Sequence, residues 1–365
     1  MSFSILDLTT DTSGIDPDAY VRKLMQWHFR PETGSPFWLR RAAGLEFDPL
    51  TEVGGVADLA RFPNVIEEFR STPVEDLIPR GLGPRPKIAG IYESSGTTGA
   101  PKRFVMFDEW LDTHLAWDDR LDGIVAAAGR PLNTLAVVPS GPHMFGEVTT
   151  RWARRCGGVK FTVDLDPRWV KILVSQGRAE DADAYAEHIV DQAAHILRTQ
   201  DVGVLATTPA LLERFARRTD LVDLINASVR AIVWSGAQMD ADTRELLRTK
   251  VFPGVPLLGI YGSTTILGGT KERRGEEFDG NPICDPFSPY IFFRVVDPET
   301  GEEVGFGERG QVVMSHVTKY ALLPNNLERD MATRIEPPKG VIGSSVAAVG
   351  PVAAFGGVAV IEGVY

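Results

Sequence analysis

Tyr92-Glu93-Ser94-Ser95-Gly96-Thr97-Thr98-Gly99-Ala100-Pro101-Lys102 crowds four hydroxyls, two glycines and one lysine into the nine positions from Ser94 to Lys102. Those residue types suit a loop that grips a polyphosphate. Glycine lets the backbone turn through positive φ, so successive N–H groups can converge on one anion. The hydroxyls add donors and the ammonium adds charge. The stretch is not a Walker A loop, which needs G-x-x-x-x-G-K-[ST] opening a helix. Here Pro101 precedes Lys102 and Arg103 follows it. Ile88 to Tyr92 and Phe104 to Phe107 read as short strands, so the loop is expected at a hairpin tip. The bland alternative is a Ser/Thr/Gly-rich surface turn.

Outward from this loop, the 365-residue chain has the composition of a soluble globular protein with ample apolar material for a core. Its net charge of −11 speaks against nucleic acid as a partner, because no basic block neutralises phosphates. A local ATP site remains compatible with that charge. Cys156 and Cys284 make neither metal spacing nor a disulfide framework, and a reducing cytoplasm is the simplest compartment. The N-terminus has no signal-peptide character, and no apolar run is long enough to span a membrane.

Asp16 to Phe29 reads as a helix, and Asp108 is placed to cap another. From Thr134 onward strands and helices alternate. Strands are expected at 134–138, 159–163, 202–206, 229–234 and 256–260. Helices are expected at 146–156, 183–198, from Pro209, and at 240–250. Such alternation argues for a layered α/β fold with mainly parallel strands. After Gly268 the pattern changes to strands at 290–296 and 310–315 around the turn at Asp297. The expected division is an α/β core over 1–268, a smaller β-rich subdomain over 269–336, and an apolar tail over 337–365. The tail reads either as a short strand pair packed back on the body or as a partly disordered segment.

Strand 256–260 runs into Tyr261-Gly262-Ser263-Thr264-Thr265, and strand 229–234 ends at Trp234-Ser235-Gly236-Ala237-Gln238. Ligands of open α/β sheets bind at the carboxyl ends of strands. One end offers backbone to a nucleobase, the other a ring to stack on it.

With Ser94 to Lys102, these segments resemble the adenylate-forming superfamily of acyl-CoA synthetases, peptide-synthetase adenylation domains and luciferases. The run Asp297-Pro-Glu-Thr-Gly-Glu with Gly307 to Val313 is similar to a segment of phenylacetate–CoA ligases. Arg329-Asp330-Met331 resembles the family's G-D-L segment. The likeness runs in order from about residue 85 to 335. By resemblance, the loop of Ser94, Ser95, Gly96, Thr97, Thr98 and Gly99 holds ATP. Thr97, Thr98 and Lys102 take the β- and γ-phosphates. Ser235, Gly236 and Ala237 line the adenine, and Tyr261, followed by Gly262, Ser263 and Thr264, stacks on it. Asp330 binds the ribose. The implied reaction joins a carboxylate and MgATP to give an acyl-adenylate and pyrophosphate.

The sequence departs from the family twice. The Y-G-x-T-E segment ends in Thr265 where the family has a glutamate that helps hold Mg²⁺, leaving Thr265 to act weakly through water. The chain also looks like a short form, without the mobile C-terminal domain and its lysine, which puts thioester formation with CoA in doubt. It resembles the type of short member that adenylates griseoluteic acid in phenazine antibiotic biosynthesis. That resemblance implies an aromatic, phenazine-type carboxylic acid and a downstream reductase or acyl acceptor protein as partner. The other readings kept are a catalytically weak ATP/AMP- or acyl-binding scaffold and a fatty acyl-protein synthetase-like activator.

Ser140 to Gly146 follows strand 134–138, and in the family this region borders the acyl group. His143 is there a candidate for the carboxylate or a ring, with Phe145 as a wall. A hydrogen-bonded structural histidine is the competing reading. Trp234 faces the acid or packs in the core, and Gly262 lies beside it in the expected pocket. Gly305 to Gly310 matches G-x-G-x-x-G but lies between strands, so the dinucleotide context fails. His188 and His195 lack a third metal ligand, and Cys156 reads as a small core residue.

Overall fold

The computed structural model describes residues 3–94, 99–351, 354–355 and 358–359. They divide into two compact units, each discontinuous in sequence. The first comprises 1–117, 263–270 and 285–346; the second comprises 118–262, 271–284 and 347–365. This division differs from the contiguous one expected, with boundaries at 268 and 336.

The first unit opens with the helix Pro17–Phe29. Asp16 caps it by accepting from the backbone N–H groups of Asp18 and Ala19, and Pro17 sits in the first turn, where its missing N–H costs nothing. The helix buries Tyr20, Leu24, Trp27 and His28. Tyr20 donates to the carbonyl of Val317 at 2.9 Å, and the Trp27 indole donates to that of Lys319 at 2.8 Å. The expected hairpin is present: Ile88–Glu93 pairs antiparallel with Arg103–Phe107. An antiparallel set of Ile291–Val296, Arg309–Val317 and Leu322–Ile335 completes the unit.

That last strand holds an irregularity with consequences. Gln311 faces Met331, but Val313 faces Leu327. A single residue, Val312, is therefore opposed by Glu328, Arg329 and Asp330. Such bulges re-aim side chains and favour positions beside functional sites. The Gln311 side-chain amide donates to the Glu328 carbonyl at 2.7 Å, holding the bulged backbone.

The second unit carries a five-stranded parallel sheet in the order Gly157–Val163, Leu132–Val137, Val204–Thr207, Ala231–Trp234, Leu257–Gly259. The central strands are apolar on both faces, as buried parallel strands must be. Leu205, Ile232 and Leu257 pack with Ile189 and Val190 of the helix Ala179–Thr199 and with Leu212 and Phe215 of Pro209–Ala216. The helix expected over 240–250 is the α-turns Ala241–Leu246 followed by a π-helical stretch, Leu247–Val251. The tail supplies the strand Ser345–Pro351 and the short pair Ala354–Phe355 and Val358–Ala359. Among the described residues no helix is long and apolar enough to cross a membrane.

Candidate functional site

In the first unit the hairpin closes through the Ser94 N–H donating to the Lys102 carbonyl at 2.9 Å. The Lys102 N–H donates to Ser94 Oγ at 3.0 Å. Ser94 thus fixes the root of the loop. Gly99 has φ +136°, a conformation reserved for glycine. Ser95, Gly96, Thr97 and Thr98 lie outside the described residues. The Lys102 ammonium is 2.7 Å from Glu67 and largely shielded from solvent. Glu67 also binds Arg70 at 2.6 Å, and Arg70 bonds the Ala100 carbonyl. Burial works against the Glu67 charge, but these two cations outweigh it and hold its carboxyl below the usual value.

Ser263 to Thr265 also belong to this unit. Ser263 Oγ accepts from the Thr265 N–H at 3.2 Å and caps the single turn Thr264–Ile266. The Trp110 indole donates to the Leu267 carbonyl at 2.7 Å, and His316 Nδ1 bonds that of Ile266 at 2.6 Å, so the segment is anchored on two sides. Thr265 is buried, and its hydroxyl bonds Glu328 Oε1. Ser263 Oγ reaches the same oxygen at 3.3 Å. Burial pushes the Glu328 carboxyl above the usual range, and the charge of Asp330 adds to this. The Thr265 bond, Lys102 and Arg329 oppose it without cancelling it. The unit therefore brings Lys102, Thr265 and Asp330 into the electrostatic reach of one carboxylate that the sequence reading passed over. A hydroxyl at 265 where a carboxylate is expected was the signal to search for a replacement.

In the second unit Trp234, Ser235 and Gly236 follow directly on a central strand. The Ser235 hydroxyl donates to the Ile260 carbonyl at 2.9 Å, and the Ile260 N–H donates to the Trp234 carbonyl at 3.1 Å, which ties the two strand ends together. Gly236 has φ +93°. The Gly259 N–H donates to Glu272 at 2.9 Å, and the Gly259 carbonyl accepts from Arg120 at 3.0 Å. Glu272 in turn pairs with Arg244. This fixes the strand that leads to Tyr261 and Gly262. A Cβ at Gly259 would lie 2.8 Å from the Trp234 ring. The indole packs across the glycine and joins the core, yet its N–H has no partner among the described residues. The hydroxyls of Thr207 and Thr208, at the end of the neighbouring strand, are buried and also have no partner among the described residues. Thr207 lies opposite Trp234 in the sheet register. Sequence reading missed both threonines, which look like ordinary strand-end residues until their hydrogen bonds are counted.

His143 is half-buried and precedes the helix Met144–Arg155 without capping it by its side chain. Phe145 meets Trp152 edge-to-face at 5.9 Å. Cys156 is buried and its thiol is pushed up to about 11, chiefly by burial, as a core residue would be. Among the described residues no three His, Cys, Asp or Glu side chains gather as a metal cage.

Known proteins resemble this chain in sequence and in fold. The family described as AMP-binding enzyme matches residues 181–318. Phenylacetate-coenzyme A ligase of Aromatoleum evansii is 22% identical over 294 residues, covering 79% of this chain and 59% of that enzyme. Its namesake in Thermus thermophilus is 28% identical over 302 residues, covering 79% and 58%. The chain thus spans about three fifths of the length of these relatives. A 2-hydroxyisobutyryl-CoA ligase structure in the postadenylation state superposes with TM-score 0.57 at 15% identity over 92% of this chain and 67% of that one. An open conformation of the same ligase gives 0.58 at 14% over 90% and 73%. The parallel sheet, the antiparallel set and these likenesses together mean that the chain has the adenylate-forming fold, with an AMP-binding enzyme match across residues 181–318.

Proposed function

We propose that this protein activates a carboxylic acid with ATP. A carboxylate oxygen attacks the α-phosphorus, the bond from that phosphorus to the bridging oxygen breaks, and acyl-adenylate and pyrophosphate result. The observation that carries this reading is the hairpin whose Lys102 ammonium pairs with Glu67 and lies within electrostatic reach of Glu328, the carboxyl bonded by Thr265. In-line displacement at phosphorus asks the protein for positioning and charge neutralisation rather than covalent help. Lys102 and the loop hydroxyls hold the terminal phosphates, Asp330 the ribose, and Gly236, Ala237 and Tyr261 the adenine. Mg²⁺, when bound with the nucleotide, neutralises phosphate charge. Hydroxyls at Ser263 and Thr265 with the Glu328 carboxylate form a hard-oxygen set that suits it.

The acid is aromatic in this reading. The likeness to phenylacetate-coenzyme A ligases supports an aryl acid, and a phenazine carboxylate such as griseoluteic acid is the member of that class singled out by resemblance. Unpartnered donors at Trp234, Thr207 and Thr208 lie buried at the carboxyl ends of neighbouring parallel strands, the end of an open α/β sheet where ligands bind. The product passes to a reductase or an acyl acceptor. Hydroxylamine trapping tests the reaction. A hydroxamate that forms only with both ATP and an aromatic acid present is the expected result; none with any acid in a panel of aromatic, phenazine and fatty acids would reject it.

A further inference from the structure

Glu328 stands out once the site is drawn, because a strand carboxylate that is not exposed is unusual. It lies on the bulge opposite Val312. Both hydroxyl bonds, from Thr265 and from Ser263, go to the same oxygen, Oε1, and among the described residues Oε2 has no hydrogen-bond partner. The backbone carbonyl of Glu328 is held by Gln311, so the side chain springs from a fixed point. Lys102, the lysine of the phosphate loop, and Asp330 both act on its charge.

We propose that Glu328 supplies the carboxylate through which this chain holds the divalent cation of its nucleotide, with Thr265 and Ser263 orienting it. The inference rests on the ATP-dependent reading above. Small hard cations of the Mg²⁺ type keep several waters and bind through one or two carboxylates plus substrate phosphates, not through an all-protein cage. The absence of a three-residue cage among the described residues fits that pattern. A carboxylate with one oxygen tied to two hydroxyls has its other oxygen turned into a fixed direction, which is how outer-shell bonds set a ligand's aim. The carboxylate thus comes from the bulged strand and the hydroxyl from position 265.

The test is Mn²⁺ binding, read by electron paramagnetic resonance, to the full chain loaded with an ATP analogue whose α,β bridge is methylene. Glu328→Gln should weaken Mn²⁺ affinity of the loaded protein roughly 10–100-fold and leave affinity for the metal-free analogue within about twofold. Thr265→Val, which keeps the shape and removes the orienting hydroxyl, should give a smaller loss of the same kind. An unchanged Mn²⁺ affinity in Glu328→Gln, or an equal loss of metal-free analogue binding, would overturn the inference while the activation reading stands. Failure of the unsubstituted protein to bind the analogue at all would overturn both.

Discussion

The unit that carries Lys102 and the unit that carries Trp234 present their candidate groups in opposite states. In the first, Lys102 and Thr265 are already paired, with Glu67 and with Glu328. In the second, Trp234, Thr207 and Thr208 keep buried donors with no partner among the described residues. A buried donor left unsatisfied costs about 1–3 kcal/mol, so such groups are tolerated where a ligand relieves the cost. A cation already held by a carboxylate keeps a counter-charge when it exchanges that partner for a phosphate. Under the proposed function, the uncharged donors carry binding specificity and the paired groups handle charge.

The largest way to break this contrast is Lys102→Ala. Losing one well-placed cation should lower acid-dependent pyrophosphate exchange about 10²–10³-fold. A fall of less than roughly tenfold would remove Lys102 from the phosphate site.

Trp234→Phe keeps the ring against Gly259 and deletes only the orphan N–H. Affinity for the acid, read as its KM, should fall roughly tenfold, while thermal stability holds or rises because an unmet donor has gone. An unchanged KM with lowered stability would return Trp234 to plain core packing.

A third experiment sharpens the contrast through acid. All three buried histidines, His28, His114 and His316, lie in the first unit. Burial lowers His28 to about 4 and His316 to about 3, against partial opposition from their bonds to the carbonyls of Thr318 and Ile266. Unfolded chains take up these protons near pH 6.5 and the native unit does not until far lower. Their contribution to stability is therefore complete above about pH 6.5 and is lost as pH falls toward 4. Hydrogen exchange mapped along the chain should show residues 1–117 and 285–346 loosening in that window before the parallel sheet. Uniform loosening of both units would count against it.

The smallest effect is expected of Glu67→Gln. Freeing Lys102 from a partner that competes with phosphate should tighten nucleotide binding about two- to fivefold, the scale of an ion pair whose carboxylate is exposed. Weaker binding would mean that Glu67 positions the lysine for its ligand.

Much of this arrangement was legible in the residues. The hydroxyl–glycine–Pro101–Lys102 run marked the hairpin tip, and apolar runs split by amphipathic helices marked the parallel sheet. The strand Leu322–Ile335 was not legible. Pro324, the pair Asn325-Asn326 and the charged run Glu328 to Asp330 break the alternation by which a strand is recognised. Asp330 was found through resemblance, but the bulge that displays it is a property of pairing with residues 311–313, which no local pattern encodes. The division into units was illegible for the same reason, since segments far apart in sequence build each one. The orphan donors of Thr207 and Thr208 emerge only when every buried polar group is asked for its partner.

The most direct test of the central claim is exchange of labelled pyrophosphate into ATP with Mg²⁺, measured against aromatic, phenazine and fatty acids. The account predicts exchange that depends on an aromatic acid. A protein that binds ATP and yet exchanges no pyrophosphate with any of these acids would contradict it.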